Sequence, residues 1–214
     1  MSARAVLFDL DGTLVDSLPS IVGAANALLA DLGAEPITDA LGASFVGWGE
    51  RVFLEKLIAA RGLSADAEAL RQPYLTHYED LARETRAIPG TREALDSLKV
   101  DGVLLGLVTN KPRAPLGPSL VAAGLDGLFD IVIAGDDLPK RKPDPAPLRH
   151  AMAELGVERA IYVGDSPVDS EAAARAGLPF LLYTEGIVGV PEGAVACTAS
   201  FNDYRYLRGI LQVI

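Results

Sequence analysis

The segment Phe8–Asp16, FDLDGTLVD, sets three carboxylates directly after the short apolar run AVLF. Like charges at the end of a buried segment repel. Carboxylates held there either take up protons or share a cation. Asp165, in YVGDSPVD, follows another apolar run, and Asp169 lies one helical turn on. If these ends are neighbours, Asp9, Asp11, Asp165 and Asp169 converge on one crevice. Oxygen donors with no cysteine or histidine favour a hard cation. Mg²⁺ suits a site that offers few carboxylates and lets a substrate phosphate complete the shell. Thr109, Asn110 and Lys142 follow the remaining runs. A hydroxyl, an amide and an ammonium are donors, and donors beside a hydrated cation match the outer oxygens of a transferring phosphoryl group. A carboxylate in line with phosphorus can attack it and form an aspartyl-phosphate. A carboxyl group two residues on can protonate the leaving oxygen, then activate water.

These residues need elements that bring them together. Apolar runs at 5–10, 103–110, 131–135, 160–165 and 179–184 lack strict alternation, as do strands buried on both faces of a parallel sheet. Helical patterns with readable ends separate the later runs. Asp144 reads as an N-cap, Pro145 as the first helical residue and Gly156 as lying past the end; Ser166, Pro167 and Gly177 repeat the pattern. Alternating strands and helices predict an α/β fold with a doubly wound, mostly parallel, Rossmann-like sheet. Ligands of such sheets bind at the carboxyl ends of the strands, where the residues above fall. Gly12 lets the chain turn sharply there, and Thr13 offers a supporting hydroxyl. From about Ser17 to Ala87 there are only helical patterns, far more chain than an ordinary crossover. An inserted all-helical cap over 17–87 is therefore expected, with the core formed by 1–16 and 88–214. Asp16, at the doorway, is assigned to the hinge.

Composition bounds the partners. Of 214 residues, 50% are hydrophobic and 22% charged, which is enough to build a core, and the net charge is −10. That balance argues against nucleic acid or an anionic membrane as partner, and it requires any anion site to carry its own local positive charge. Neither a signal peptide nor a membrane span is read, so a cytoplasmic monomer or homodimer is expected. The one cysteine, Cys197, is read as a small buried residue, and His77 and His150 as structural or surface residues. No GxxxxGK[ST] loop supports a nucleotide-driven phosphotransferase. A serine hydrolase built on Ser166 would need a histidine downstream, and both histidines lie upstream.

The segments FDLDGTLVDS, LVTNKP, KPDPAPL and YVGDSPVD resemble the four ordered motifs of the haloacid dehalogenase superfamily phosphatases, across essentially the whole chain. The resemblance implies Asp9 as nucleophile, Asp11 as general acid and base, and Thr109 and Lys142 as phosphate binders. It further implies Mg²⁺ on Asp9, Asp165 and the Asp11 carbonyl, with Asp169 supporting the metal. LPSIVGAANALLADLG, FVGWGERVF and AGLPFLLYTEG look like bacterial phosphoglycolate phosphatases, which implies a small phosphorylated metabolite as substrate. A sugar phosphate or pyrophosphate is the alternative, acted on by a related phosphatase or phosphomutase; a non-catalytic phospho-ligand binder is a remoter one. In the cap, Gly47 and Gly49 flank Trp48 in a turn expected to close over the site, with Arg51 or the turn's N–H groups receiving the substrate's carboxylate.

Overall fold

The computed structural model describes residues 5–187, 189 and 193–214, so the first four residues of the expected core lie outside it. Strand β1 (Ala5–Phe8) is fully buried. A ribbon follows, formed by β2 (Val15–Asp16) and, much later, β3 (Arg86–Ala87), which pair antiparallel. Between them lie the cap helices α1 (Leu18–Asp31), α2 (Asp39–Ala43), α3 (Glu50–Arg61) and α4 (Ala67–Leu81). The core then continues through α5 (Thr91–Val100), β4 (Leu104–Val108), α6 (Arg113–Ala122), β5 (Ile131–Ile133) and α7 (Ala146–Glu154). It closes with β6 (Ala160–Gly164), α8 (Pro167–Ala176), β7 (Phe180–Tyr183), β8 (Ala199–Phe201) and α9 (Leu207–Val213).

The main sheet runs β5-β4-β1-β6-β7-β8, and every neighbouring pair is parallel. The chain leaves central β1 to one side for β4 and β5, then returns to the other for β6, β7 and β8. The strand order therefore reverses beside β1, where a crevice opens at the strand ends. Alternate residues serve two cores. Val6 and Phe8 pack with Leu95, Leu116 and Leu207 on one face; Ala5 and Leu7 pack with Leu148, Ala151 and Ala172 on the other. Burial on both faces explains the unbroken apolar runs.

The cap has its own apolar cluster, in which Leu28, Leu54, Leu57 and Tyr74 are almost wholly buried. Helix α8 begins as its sequence reads: Ser166 caps it in a capping box with Asp169, and Gly177 closes it in the left-handed conformation. Helix α7 begins one residue later than expected. Pro145 holds the N-cap position, and Asp144, just before it, accepts from Ala146 N at 2.9 Å. Cys197 is exposed rather than buried, because it lies in the connection leading to edge strand β8. His77 bonds Asp31 on the cap, and His150 is exposed on α7. No helix among the described residues is long and apolar enough to cross a membrane.

Candidate active site

The ends of β1, β4 and β6 meet in one cavity of about 50 Å³, which the helical insertion covers, and the loop before α7 brings Lys142 against Asp9. Asp9 leaves β1 with its N–H donated to Val163 O at 2.9 Å, which ties its loop to β6. Gly12 then turns the chain at φ +80°; a Cβ there would run into the Asp165 carboxylate, so only glycine fits. Thr13 is fully buried, with Oγ1 3.4 Å from Asp165 Oδ1. Ile187 N donates to Asp165 Oδ2 at 3.0 Å.

Asp169 is fully engaged. Its Oδ1 accepts from Lys142 Nζ at 2.7 Å and Tyr162 Oη at 2.9 Å, and its Oδ2 from Ser166 Oγ at 2.5 Å. Lys142 in turn donates to Tyr162 Oη at 2.7 Å, and its Nζ stands 2.8 Å from Asp9 Oδ1. That last contact is an ion pair without hydrogen-bond alignment. Asp9 Oδ1 is thus a buried oxygen with no hydrogen-bond partner among the described residues. Burial pushes the Asp9 carboxyl up to about 7; Lys142 lowers it, while Asp169 and Asp11 add to the rise. Burial also raises Asp165, helped by Asp169 and Asp9. Burial alone would lower Lys142, but Asp169 and Asp9 more than reverse this, so it stays charged.

Such a cluster fits a hard cation. Asp9, Asp165 and Asp169 each place a carboxylate oxygen within 4.8 Å of the others, all buried. The donor set is all oxygen, Asp9 Oδ1 has no aligned hydrogen bond beyond its ion pair with Lys142, and burial, helped by neighbouring carboxylates, leaves Asp9 and Asp165 reluctant to ionise. Because Asp169 is committed to Lys142, Tyr162 and Ser166, Asp9 and Asp165 are the side chains that could hold such an ion. Ser166 Oγ is spent in the same cap and has no histidine beside it, which disposes of a serine nucleophile.

From β4, Thr109 presents a buried hydroxyl that also accepts from Lys111 N at 3.1 Å. Asn110 lines the cavity, but its side chain is spent elsewhere. It donates to Gly47 O at 2.9 Å and Lys142 O at 2.8 Å, and accepts from Lys142 N at 3.0 Å. It therefore joins cap to core instead of offering its amide to a ligand. Of the turn residues expected at the site, Gly47 and Gly49 reach the cavity. Trp48 does not, and is 41% exposed. Nor does Arg51: its side chain is 72% exposed and pairs with Glu55 one turn along α3, so it is not placed to receive a substrate. The inward residue is its neighbour Glu50, 4% exposed, which bonds Arg71 of the cap at 3.1 Å and Arg141 of the core at 2.9 Å.

Three residues important to this arrangement have no sequence assignment: Lys111, Tyr78 and Glu50. Lys111 Nζ is wholly buried, lies 3.0 Å from Asp11 Oδ1, and also donates to Tyr78 Oη. Its position directly after Thr109 and Asn110 is the one signal that could have marked it.

A family profile described as haloacid dehalogenase-like hydrolase matches residues 6–183, most of the chain. The chain belongs to that family. Among relatives, a phosphoglycolate phosphatase of Cereibacter sphaeroides (strain ATCC 17029 / ATH 2.4.9) is 46% identical over 97% of both chains. A plasmid-encoded phosphoglycolate phosphatase of Cupriavidus necator is 43% identical over 93% of this chain and 88% of its own. Among solved structures, a predicted phosphoglycolate phosphatase from Haemophilus somnus 129PT superposes with a TM-score of 0.92 at 28% identity, covering 98% of each chain. The haloacid dehalogenase-like frame thus extends over cap and core together.

Proposed function

We propose that the chain is a Mg²⁺-dependent phosphomonoester hydrolase that works through an aspartyl-phosphate on Asp9, with 2-phosphoglycolate as its substrate. Phosphatase chemistry as such follows from kinship with the relatives above. The observation that carries the finer reading is Asp9 itself: a buried carboxylate at a strand end, ion-paired to Lys142 but with that oxygen in no aligned hydrogen bond, and with a second carboxyl group, Asp11, lining the same cavity. Mg²⁺, held by Asp9, Asp165 and the Asp11 carbonyl, would supply the positive charge that keeps both side chains ionised and offsets the phosphoryl charge.

The chain's own residues divide the work. Lys142 and the Thr109 hydroxyl hold the phosphoryl oxygens. Asp9 attacks phosphorus; the bond to the ester oxygen breaks, and Asp11 delivers a proton to that oxygen. With the alcohol gone, Asp11 takes a proton from water as the water attacks the aspartyl-phosphate, freeing phosphate and restoring Asp9. The Ser166–Asp169–Tyr162 network keeps Lys142 aimed at Asp9 throughout.

A phosphate-release screen with Mg²⁺, run on phosphoglycolate, sugar phosphates and pyrophosphate, tests this reading. Phosphoglycolate should lead in kcat/KM, and Asp9→Asn should abolish release while the circular dichroism spectrum is retained. Preference for pyrophosphate or a hexose phosphate would overturn the substrate, and turnover retained in Asp9→Asn would overturn the mechanism.

A further inference from the structure

The proposed substrate is anionic at both ends, and the phosphoryl end accounts for only one of them. The cavity wall is acidic, with Asp9, Asp11, Glu50 and Asp165 all contributing. Glu50 is already neutralised from behind by Arg71 and Arg141. Lys142, 2% exposed, is held between Asp9 and Asp169, so it serves the phosphoryl end beside Asp9. Among the described residues lining the cavity, Lys111 is the single lysine or arginine.

Its surroundings suit an anion. Lys111 reaches from the end of β4 to Tyr78 on α4, donating to the Tyr78 hydroxyl with its Nζ 4.1 Å from the ring centroid. Burial, with Asp11 adding to it, pushes the Tyr78 phenol up, so the hydroxyl stays neutral and keeps its own proton to donate. The Lys111 ammonium is wholly buried and has the Asp11 carboxylate 3.0 Å away as its one ion-pair partner among the described residues. An ammonium and a phenol side by side match the two oxygens of a carboxylate.

Distance selects the ligand. In phosphoglycolate one methylene separates the ester oxygen from the carboxyl carbon. Whatever receives that carboxylate must therefore stand beside the residue that protonates the ester oxygen. Lys111 does, 3.0 Å from Asp11 Oδ1, whereas Arg51 points to solvent.

Resting on the phosphoglycolate reading, we propose that Lys111 and Tyr78 form the subsite for the substrate's carboxylate, and that Lys111 changes partner on binding. Its ammonium passes from Asp11 to the carboxylate, which frees Asp11 Oδ1 to face the leaving oxygen. A substrate without the carboxylate leaves Lys111 on Asp11, so the same contact sets both recognition and readiness.

The test compares phosphoglycolate with ethyl phosphate, which carries a methyl group in place of the carboxylate, in wild type, Lys111→Met and Tyr78→Phe. The ratio of the two kcat/KM values should fall about 100-fold in Lys111→Met and several-fold in Tyr78→Phe, mostly through KM for phosphoglycolate. A ratio unchanged in both variants overturns the subsite, because a merely structural role would depress both substrates alike. Should Lys111→Met fail to fold, Tyr78→Phe decides. Inhibition of p-nitrophenyl phosphate hydrolysis by phosphoglycolate separates this inference from the substrate reading. If wild type binds phosphoglycolate competitively without turning it over, and Lys111→Met loses that binding, only the substrate reading falls. If wild type neither turns it over nor is inhibited by it, the subsite falls too.

Discussion

In the proposed mechanism Asp9 must be ionised to attack, yet its burial favours the neutral acid. In the cation-free protein its carboxyl keeps a proton up to about pH 7, whereas an unfolded chain loses it near 3.8. The stability this contributes is fully present below that window and is lost as pH rises through it. A divalent cation binds the ionised form, so Mg²⁺ should raise Tm more above the window than in its acid half. Calorimetry with a chelator and with Mg²⁺ checks this; a chelated protein that gains stability across the window would contradict it. For Asp11, the expected signature is leaving-group dependence. Asp11→Asn should slow an alkyl phosphate by about 100-fold to 10⁴-fold, but p-nitrophenyl phosphate much less, since nitrophenolate leaves without a proton. Equal losses in steady-state rates would remove Asp11 from proton transfer. The aspartates were legible because carboxylates seldom end buried strands without a task. Lys111 and Glu50 were not, because a lysine or glutamate reads as solvated until packing shows it buried. Asn110 was visible as a donor, but which carbonyls it would serve depended on how the cap sits.

Cap and core are joined by polar contacts that no local pattern displays. Glu50 begins α3 and reaches Arg141, the residue before Lys142, while Asn110 ties Gly47 O to the backbone of that same lysine. Gly49 makes the approach possible: a Cβ there would come within 2.6 Å of Arg141 Nη1. In a double-mutant cycle, Glu50→Gln and Arg141→Gln should couple by about 1–3 kcal/mol in urea unfolding, because the carboxylate is buried and each arginine is about one-third exposed or less. Simple additivity would show that the pair holds nothing. The five long apolar runs announced their strands, and the caps of α8 announced its ends. β2 and β3 escaped notice because two-residue strands carry no pattern, and β8 because ASF, unlike the IVI of equally short β5, is not an apolar run. At α7 the sequence DPAP offers a capping aspartate one position early, and the proline takes the N-cap.

The whole molecule repels the substrate that its cavity attracts. With a net charge of −10, it should slow the approach of a small polyanion at low salt. Raising ionic strength from about 0.01 M to about 0.15 M shortens the screening length from ~30 Å to ~8 Å. At saturating Mg²⁺, kcat/KM should therefore rise several-fold over that range. A fall would mean that the local field of Lys111 and Lys142 dominates the approach. Doubly wound architecture and the helical insertion were legible from the order of runs and helices. The closeness of the insertion's two ends was not. Val15 pairs with Ala87 and Asp16 with Arg86, so the chain leaves the core and re-enters it at adjacent rungs of one ribbon. Topologically, then, the cap is the loop of a two-rung hairpin. Closing such a loop costs little more entropy when it is long than when it is short. The closure cost is thus nearly independent of the length of that loop, so a graft of another helical insertion between Asp16 and Arg86, with Glu50 and the Gly47 carbonyl kept to meet Arg141 and Asn110, should leave strand β1 folded while changing substrate preference.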